Sequence, residues 1–97
     1  MNFYFHPEAR IEFLDAIEYY ESCEPGLGDV FSMEVRSTIE QIQSYPRTWP
    51  IIDFDIRRCM TNRFPYGILY SIESDGIVII AVMHLHRKPD YWKDRTL

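Results

Sequence analysis

Two strongly apolar runs dominate the second half of the chain. Residues 63–72 and 77–87 are rich in β-branched and aromatic residues, and the polar segment 73–76 lies between them. Such residues favour strands, and an Asp-Gly pair between two apolar runs is a strong signal for a tight turn. The pattern therefore predicts a long β-hairpin in the middle of a sheet, with its turn centred on Asp75 and Gly76.

This turn would place Ser74 opposite Ile77, and the alternation of side chains along strands then decides which residues share a face. The bulkier face is expected to receive helices, and it carries Tyr66, Ile68, Tyr70, Ile72, Ile79, Ala81, Met83 and Leu85. The other face is expected to form a shallow groove with a hollow where Gly67 lies opposite His84, and it carries Gly67, Leu69, Ser71, Val78, Ile80, Val82, His84 and His86.

Helical periodicity marks two segments of the first half of the chain. Pro7 suits the first position of a helix because its ring fixes φ and its missing N–H costs nothing there. This first helix should end near residues 22–25, and its apolar stripe consists of Ala9, Phe13, Ala16, Ile17 and Tyr20. The acidic residues of the helix lie mostly outside that stripe, namely Glu12, Asp15, Glu18 and Glu21.

A second helix is predicted from residues 26–29 to Pro46, which closes it. A short strand over residues 2–6 precedes the helices, a strand over Phe54–Met60 follows them, and a tail with about one helical turn ends the chain. Helices and strands that separate in this way predict one α+β domain over residues 1–97. The expected order is β-α-α-β-β-β, with a mostly antiparallel sheet and both helices on one face.

Charge is distributed unevenly along the chain, whose net charge is −5. Residues 1–55 carry a net −8 and residues 56–97 a net +3. The basic groups lie where the hairpin ends, namely His84, His86, Arg87 and Lys88, with Arg63 at the start of the hairpin. Tyr91 and Trp92 follow closely enough in the sequence to stack over them. This cluster is the candidate for contact with an anionic partner; the alternative is that both halves are ordinary solvated surfaces.

Several kinds of chemistry can be weighed from the residues alone. His84 and His86 have a spacing that metals use on strands, but no third ligand is evident, so neither a metal nor another cofactor is expected. No signal peptide or membrane span is apparent, so a cytoplasmic protein with free thiols at Cys23 and Cys59 is expected. General acid–base cleavage of RNA needs no metal, and the cluster includes side chains of the right types: His84, His86, Arg87 and Tyr91.

The hairpin and tail also resemble the C-terminal half of RelE/ParE-family toxins of bacterial type II toxin–antitoxin modules. The resemblance lies in Arg63-Phe64-Pro65-Tyr66-x-Ile68-x-Tyr70 and in Asp75-x-Ile77-x-Ile79-x-Ala81-Val82-x-His84-x-x-Arg87-x-Pro89-x-x-Trp92. It implies a sheet cupped against two helices and an antitoxin whose C-terminal segment wraps the toxin. Within that family, RelE-like members cleave mRNA in the ribosomal A site without metal, whereas ParE-like members poison DNA gyrase.

The sequence departs from the RelE-like pattern in two ways. Gly67 stands where such nucleases often carry an arginine, and the net negative charge is unusual for a protein that binds the ribosome. The resemblance therefore favours a ParE-like toxin that binds gyrase through Arg63, Arg87, Lys88 and Trp92. One alternative is a ribosome-dependent endoribonuclease in which His84 or His86 is the acid or base. Another is an inactive homologue kept for antitoxin binding.

Overall fold

Five strands and two long helices make up residues 1–95, which the computed structural model describes. In chain order they are β1 (Phe3–Phe5), α1 (Pro7–Cys23), α2 (Leu27–Ser44), β2 (Ile51–Asp53), β3 (Ile56–Met60), β4 (Tyr66–Glu73) and β5 (Gly76–His84), followed by a 3₁₀ turn over Lys93–Arg95. The sheet order is β1-β5-β4-β3-β2, with β1 parallel to β5 and the other pairs antiparallel. The α+β class and the mostly antiparallel sheet are confirmed.

The two helices form a hairpin whose junction is fixed by one carboxylate. Glu21, near the end of α1, accepts hydrogen bonds from the backbone N–H groups of Gly26 at 2.9 Å and Gly28 at 3.0 Å. These are N-terminal groups of α2 that would otherwise lack partners. A Cβ on Gly28 would lie 2.7 Å from the carbonyl oxygen of Ile17, so only glycine allows the helices to approach this closely.

The predicted strand over Phe54–Met60 begins only at Ile56, and the additional strand β2 precedes it at the edge of the sheet. Phe54 belongs to the turn between them, where its φ is +50° and the residue is 76% exposed. A bulky residue in this left-handed region is unusual. Because Phe54 is not a residue that typically marks a turn, the sequence does not reveal the turn at this point. The three residues of β2 are also too few to show an alternating pattern.

The hairpin turn differs from the prediction because it is centred on Ser74 and Asp75, with Glu73 paired to Gly76. Gly76 is the first residue of β5 and has a φ of +149°. A Cβ on Gly76 would lie 2.5 Å from the carbonyl oxygen of Asn2, just before β1. The approach of the neighbouring chain segment therefore requires glycine at position 76. The prediction was wrong because it assigned this glycine to the centre of the turn.

A β-bulge in β5 shifts the register of the hairpin again, in addition to the displaced turn. The pairing shifts between Leu69 and Tyr70, because Ile80 is an extra residue in β5. Beyond the bulge Tyr66 pairs with His84, so the predicted pairing of Gly67 with His84 is wrong. The bulge also exchanges the faces of the last part of β5: Val82 and His84 move to the helix side, and Ala81, Met83 and Leu85 move to the other side.

The sheet separates two apolar clusters. The helix-side cluster joins α1, α2 and the sheet, and it includes Phe13, Phe31, Val35, Ile39, Tyr66, Ile68, Tyr70 and Ile79. The cluster on the other face is covered by the C-terminal tail, and it consists of Ile56, Leu69, Ile80, Ala81, Met83 and Trp92. The open groove expected on this face is therefore filled where Trp92 packs, because the tail folds back over the sheet.

Candidate functional site

The candidate site is built around one carboxylate, that of Glu12 on α1. Its Oε1 accepts hydrogen bonds from the N–H of Val82 at 3.0 Å and from Arg95 at 2.8 Å. Its Oε2 accepts from the hydroxyl of Tyr91 at 2.6 Å and from Arg95 at 3.0 Å, and it lies 3.6 Å from Arg87. The Glu12 side chain is only 12% exposed and that of Arg95 only 6%. The Glu12 carboxylate thus connects the C-terminal tail to α1 and β5 through hydrogen bonds and an ion pair.

The position of this carboxylate follows from the sheet. Strand β1 pairs with β5 only as far as Ile79, so the outer edge of β5 beyond that residue has no neighbouring strand within residues 1–95. The Glu12 carboxylate takes the N–H of Val82, and Arg95 donates to the carbonyl of Ile80 at 3.2 Å. The ion pair therefore satisfies backbone groups that a longer β1 would otherwise have bound.

Tyr91 is held between two guanidinium groups. The Arg87 guanidinium carbon lies 4.0 Å from the centre of its ring and that of Arg95 lies 5.0 Å away, both within the range of cation–π contact. Burial, together with the hydrogen bond to Glu12, raises the pKa of Tyr91 well above its ordinary range. Burial is the largest single effect on Arg95 and opposes its charge, but the hydrogen bonds to Glu12 and the attraction of the nearby acidic groups together outweigh burial, so the pKa of Arg95 is also raised.

A cavity of about 250 Å³ lies between α1 and the end of β5, beside this network. Its lining includes Glu12, Tyr19, Tyr66, His84 and Arg87. The ring of His84 meets Tyr66 edge-on at 5.1 Å and the ring of His86 at 5.2 Å. The Nδ1 of His84 accepts the N–H of His86 at 3.1 Å, so in the neutral ring the proton is on Nε2.

The other predicted site residues lie in different surroundings. Lys88 and His86 are exposed beside the network, and the Arg87 side chain is half-exposed. Arg63 lies in the loop between β3 and β4 and lines a separate cavity beside α2. Trp92 is 2% exposed, and its indole N–H donates to the carbonyl of Pro89 at 2.7 Å, so we assign it to the core and leave it out of the binding surface.

Sequence reasoning missed the two residues at the centre of the network. Glu12 was placed outside the apolar stripe of α1, yet it lies three residues after Ala9 and four before Ala16, both of them buried. That spacing puts it on the border of the buried face and is the one signal that could have identified it. Arg95 lies in the tail, where no periodic pattern indicates that it is buried.

The family of the chain is decided by residues 3–89, which match the family model described as ParE toxin of type II toxin-antitoxin system, parDE. The chain belongs to this ParE toxin family. It is thus a toxin of a type II toxin–antitoxin system, with a cognate antitoxin as its partner. A search of curated proteins found no match. Among residues 1–95 of this ParE-family chain, neither helix combines the length and apolarity needed to cross a bilayer.

Alkaline pH is expected to destabilise this ParE-family protein through three buried groups. Burial raises the pKa of Tyr66 and Tyr70 to about 12 and that of the Cys59 thiol to about 11. The folded state therefore binds these protons more tightly than the unfolded chain does. The contribution of these groups to the free energy of unfolding should be fully present below about pH 9. It should be lost between about pH 9 and 12, by about 1.4 kcal/mol per pH unit for each titrating group.

Urea unfolding followed by circular dichroism at several pH values measures this effect. Tyr66→Phe should reduce the slope of stability against pH in this range, whereas Tyr45→Phe, at an exposed tyrosine, should leave it unchanged. A free energy of unfolding that stays constant from about pH 8 to 11 would contradict the expected linkage.

Proposed function

We propose that this toxin inhibits growth by binding DNA gyrase, with no catalytic step of its own, and that its cognate antitoxin relieves the inhibition. Membership of the ParE family supports this function, because gyrase is the target that the resemblance implies for ParE-like toxins. The arrangement at the end of β5 supports a binding role over cleavage of RNA.

The observation that carries the proposal is the position of the Glu12 carboxylate. It binds the hydroxyl of Tyr91 at 2.6 Å and lies 3.6 Å from Arg87, the two groups that an RNA-cleaving site would use for proton transfer and for the phosphate. A phosphate approaching Arg87 would compete with the Glu12 carboxylate for the guanidinium, and the hydrogen bond to that same carboxylate holds the proton on Tyr91. Both conditions disfavour phosphoryl chemistry at this place.

The exposed groups beside the network are then the proposed contacts with the target. His86 and Lys88 project from the segment after β5, and Arg87 is half-exposed above the ring of Tyr91. Arginine stacked on an aromatic ring is held in one orientation, which lowers the entropy lost when it binds a partner. These groups give the otherwise acidic chain a cationic patch at one end of its sheet.

Inducible expression without antitoxin tests the proposal, with transcripts and plasmid supercoiling measured in the same culture. We expect growth arrest, double-strand breaks and altered supercoiling, with intact mRNA. Rapid cleavage of mRNA at codon boundaries with normal supercoiling would support the ribosome-dependent nuclease instead. An absence of growth arrest would overturn the proposal in favour of a chain kept for antitoxin binding alone.

Purified protein allows a sharper comparison. Lys88→Glu should weaken inhibition of gyrase supercoiling by at least about tenfold, because it reverses a charge in the proposed contact patch. Arg10→Glu reverses an exposed charge on α1 and makes the same change in net charge, so it serves as the matched control. Equal inhibition by the two variants would contradict the assignment of the patch.

A further inference from the structure

Gly67 on β4 leaves a hollow in the face of the sheet that the tail covers, and side chains reach into it from both sides. A Cβ at position 67 would lie 3.1 Å from Cδ and 3.2 Å from Cγ of Arg58, on β3. It would also lie 3.6 Å from Cδ2 of Leu85, one residue after β5. The hollow that the sequence predicted at Gly67 is therefore occupied, chiefly by the aliphatic part of Arg58.

This packing directs the Arg58 side chain diagonally across the sheet. Arg58 pairs with Leu69, two residues further along β4 than Gly67. A side chain that reaches the Gly67 position must therefore lean over β4 toward the end of the sheet where β5 stops. The chain leaves β5 at that end and continues into His86 and Lys88, both of them exposed. Arg58 thus adds a cation from β3 to the patch proposed to contact the target.

The Arg58 guanidinium is an unpaired charge on a side chain whose base is held in place. Within residues 1–95, no group forms an ion pair, a hydrogen bond or a ring contact with it. The neighbouring Arg57, by contrast, donates to the carbonyls of Arg47 at 3.1 Å and Trp49 at 2.7 Å. The backbone N–H of Arg58 is bound to the carbonyl of Pro50 at 3.2 Å, and the residue is partly buried. An arginine held in this way loses less conformational entropy when a partner binds it.

We propose that Arg58, positioned by Gly67, binds a carboxylate on the surface of DNA gyrase. The planar guanidinium can donate two parallel hydrogen bonds to a carboxylate, which fixes the orientation of the partner as well as adding affinity. Arg58 is then the member of the cationic patch that the sheet itself contributes. The assignment rests on the proposed function, because it names the chemistry by which that patch recognises gyrase.

A carboxylate of the gyrase protein fits this chain better than the phosphates of DNA bound to gyrase. Binding along a DNA backbone depends on the neutralisation of several phosphates at once. The chain has a net charge of −5, so DNA would repel most of its surface. A single carboxylate needs only one local cation and is compatible with an acidic protein. Binding of the toxin to gyrase should therefore not require DNA.

The affinity of the toxin for purified gyrase without DNA tests the carboxylate contact. Arg58→Met keeps an aliphatic stem over Gly67 but removes the charge, and it should weaken binding at least about tenfold. Arg58→Lys keeps the charge but loses the fork of donors, so it should recover only part of the affinity. Arg10→Met removes an exposed arginine of α1 and is the matched control, with affinity unchanged. Circular dichroism of each variant verifies its fold.

Three results would contradict the assignment. If Arg58→Met binds gyrase as tightly as the unmodified toxin, Arg58 only covers Gly67 and the proposed contact is overturned. Binding that appears only when DNA is added would identify phosphate as the anion and overturn the carboxylate. If the unmodified toxin binds gyrase neither with nor without DNA, the proposed function itself is wrong, and this contact with it.

Gly67→Ala tests the positioning of Arg58 separately. The three atoms nearest to the added Cβ all belong to side chains, so the change should displace Arg58 and preserve the fold. It should weaken gyrase binding at least about fivefold in the toxin that has Arg58, but less than about twofold in Arg58→Met, because the two sites are coupled. Equal factors in the two backgrounds would show that Gly67 acts independently of Arg58 and would overturn the positioning.

Discussion

Glu12→Gln is expected to lower the free energy of unfolding by about 3 kcal/mol, although the change replaces a single atom. The amide keeps the shape of the side chain but removes the charge that compensates Arg95, which is buried. It also turns an NH₂ group toward the N–H of Val82 or the hydroxyl of Tyr91, both of which need an acceptor. A loss of this size is a large part of the stability of a small domain.

Urea unfolding of matched variants measures this loss. Glu18→Gln makes the same change at an exposed position of the same helix and should alter stability by less than about 0.5 kcal/mol. The double variant Glu12→Gln, Arg95→Met should recover part of the loss, because it removes both buried charges together. Equal stabilities for the two Gln variants would contradict the central position of Glu12.

The helices and the sheet could be predicted because their signals are local. Pro7 and Pro46 bound the helical hairpin, and the apolar runs of β4 and β5 identify the centre of the sheet. The register could not be predicted, because it depends on contacts distant in sequence. Gly76 is required by the approach of Asn2, and neither this contact nor the bulge at Ile80 has a signature within the hairpin itself.

The candidate site, too, could be predicted from the sequence only in part. The cationic residues after β5 were visible in the sequence because charge interrupts an apolar run there. The role of Glu12 was not visible, since it depends on where β1 ends and on a tail that returns from the far end of the chain. An acidic residue near the apolar face of a helix is usually solvated, so only the folded structure identifies this one as the group that binds the tail.

Trp92→Ala is expected to lower the free energy of unfolding by about 3–5 kcal/mol, because the tryptophan closes the face of the sheet that the helices leave uncovered. Its ring packs in the same cluster as Leu69, Ile80 and Met83, and truncation would open a cavity there. Phe54→Ala removes another large aromatic ring, but from an exposed turn, and should change stability by less than about 1 kcal/mol. Chemical unfolding of the two variants provides the comparison.

Tryptophan fluorescence of the folded protein distinguishes the buried position of Trp92 from the surface position that the sequence suggested. Trp49→Phe leaves Trp92 as the one tryptophan of the chain. Its emission should be shifted to the blue and resist quenching by acrylamide, because the indole is enclosed and its N–H is bound to the carbonyl of Pro89. Efficient quenching would mean that the tail does not cover the sheet. The same tail carries Tyr91 and Arg95, so such a result would also remove the basis for placing Glu12 at the centre of the site.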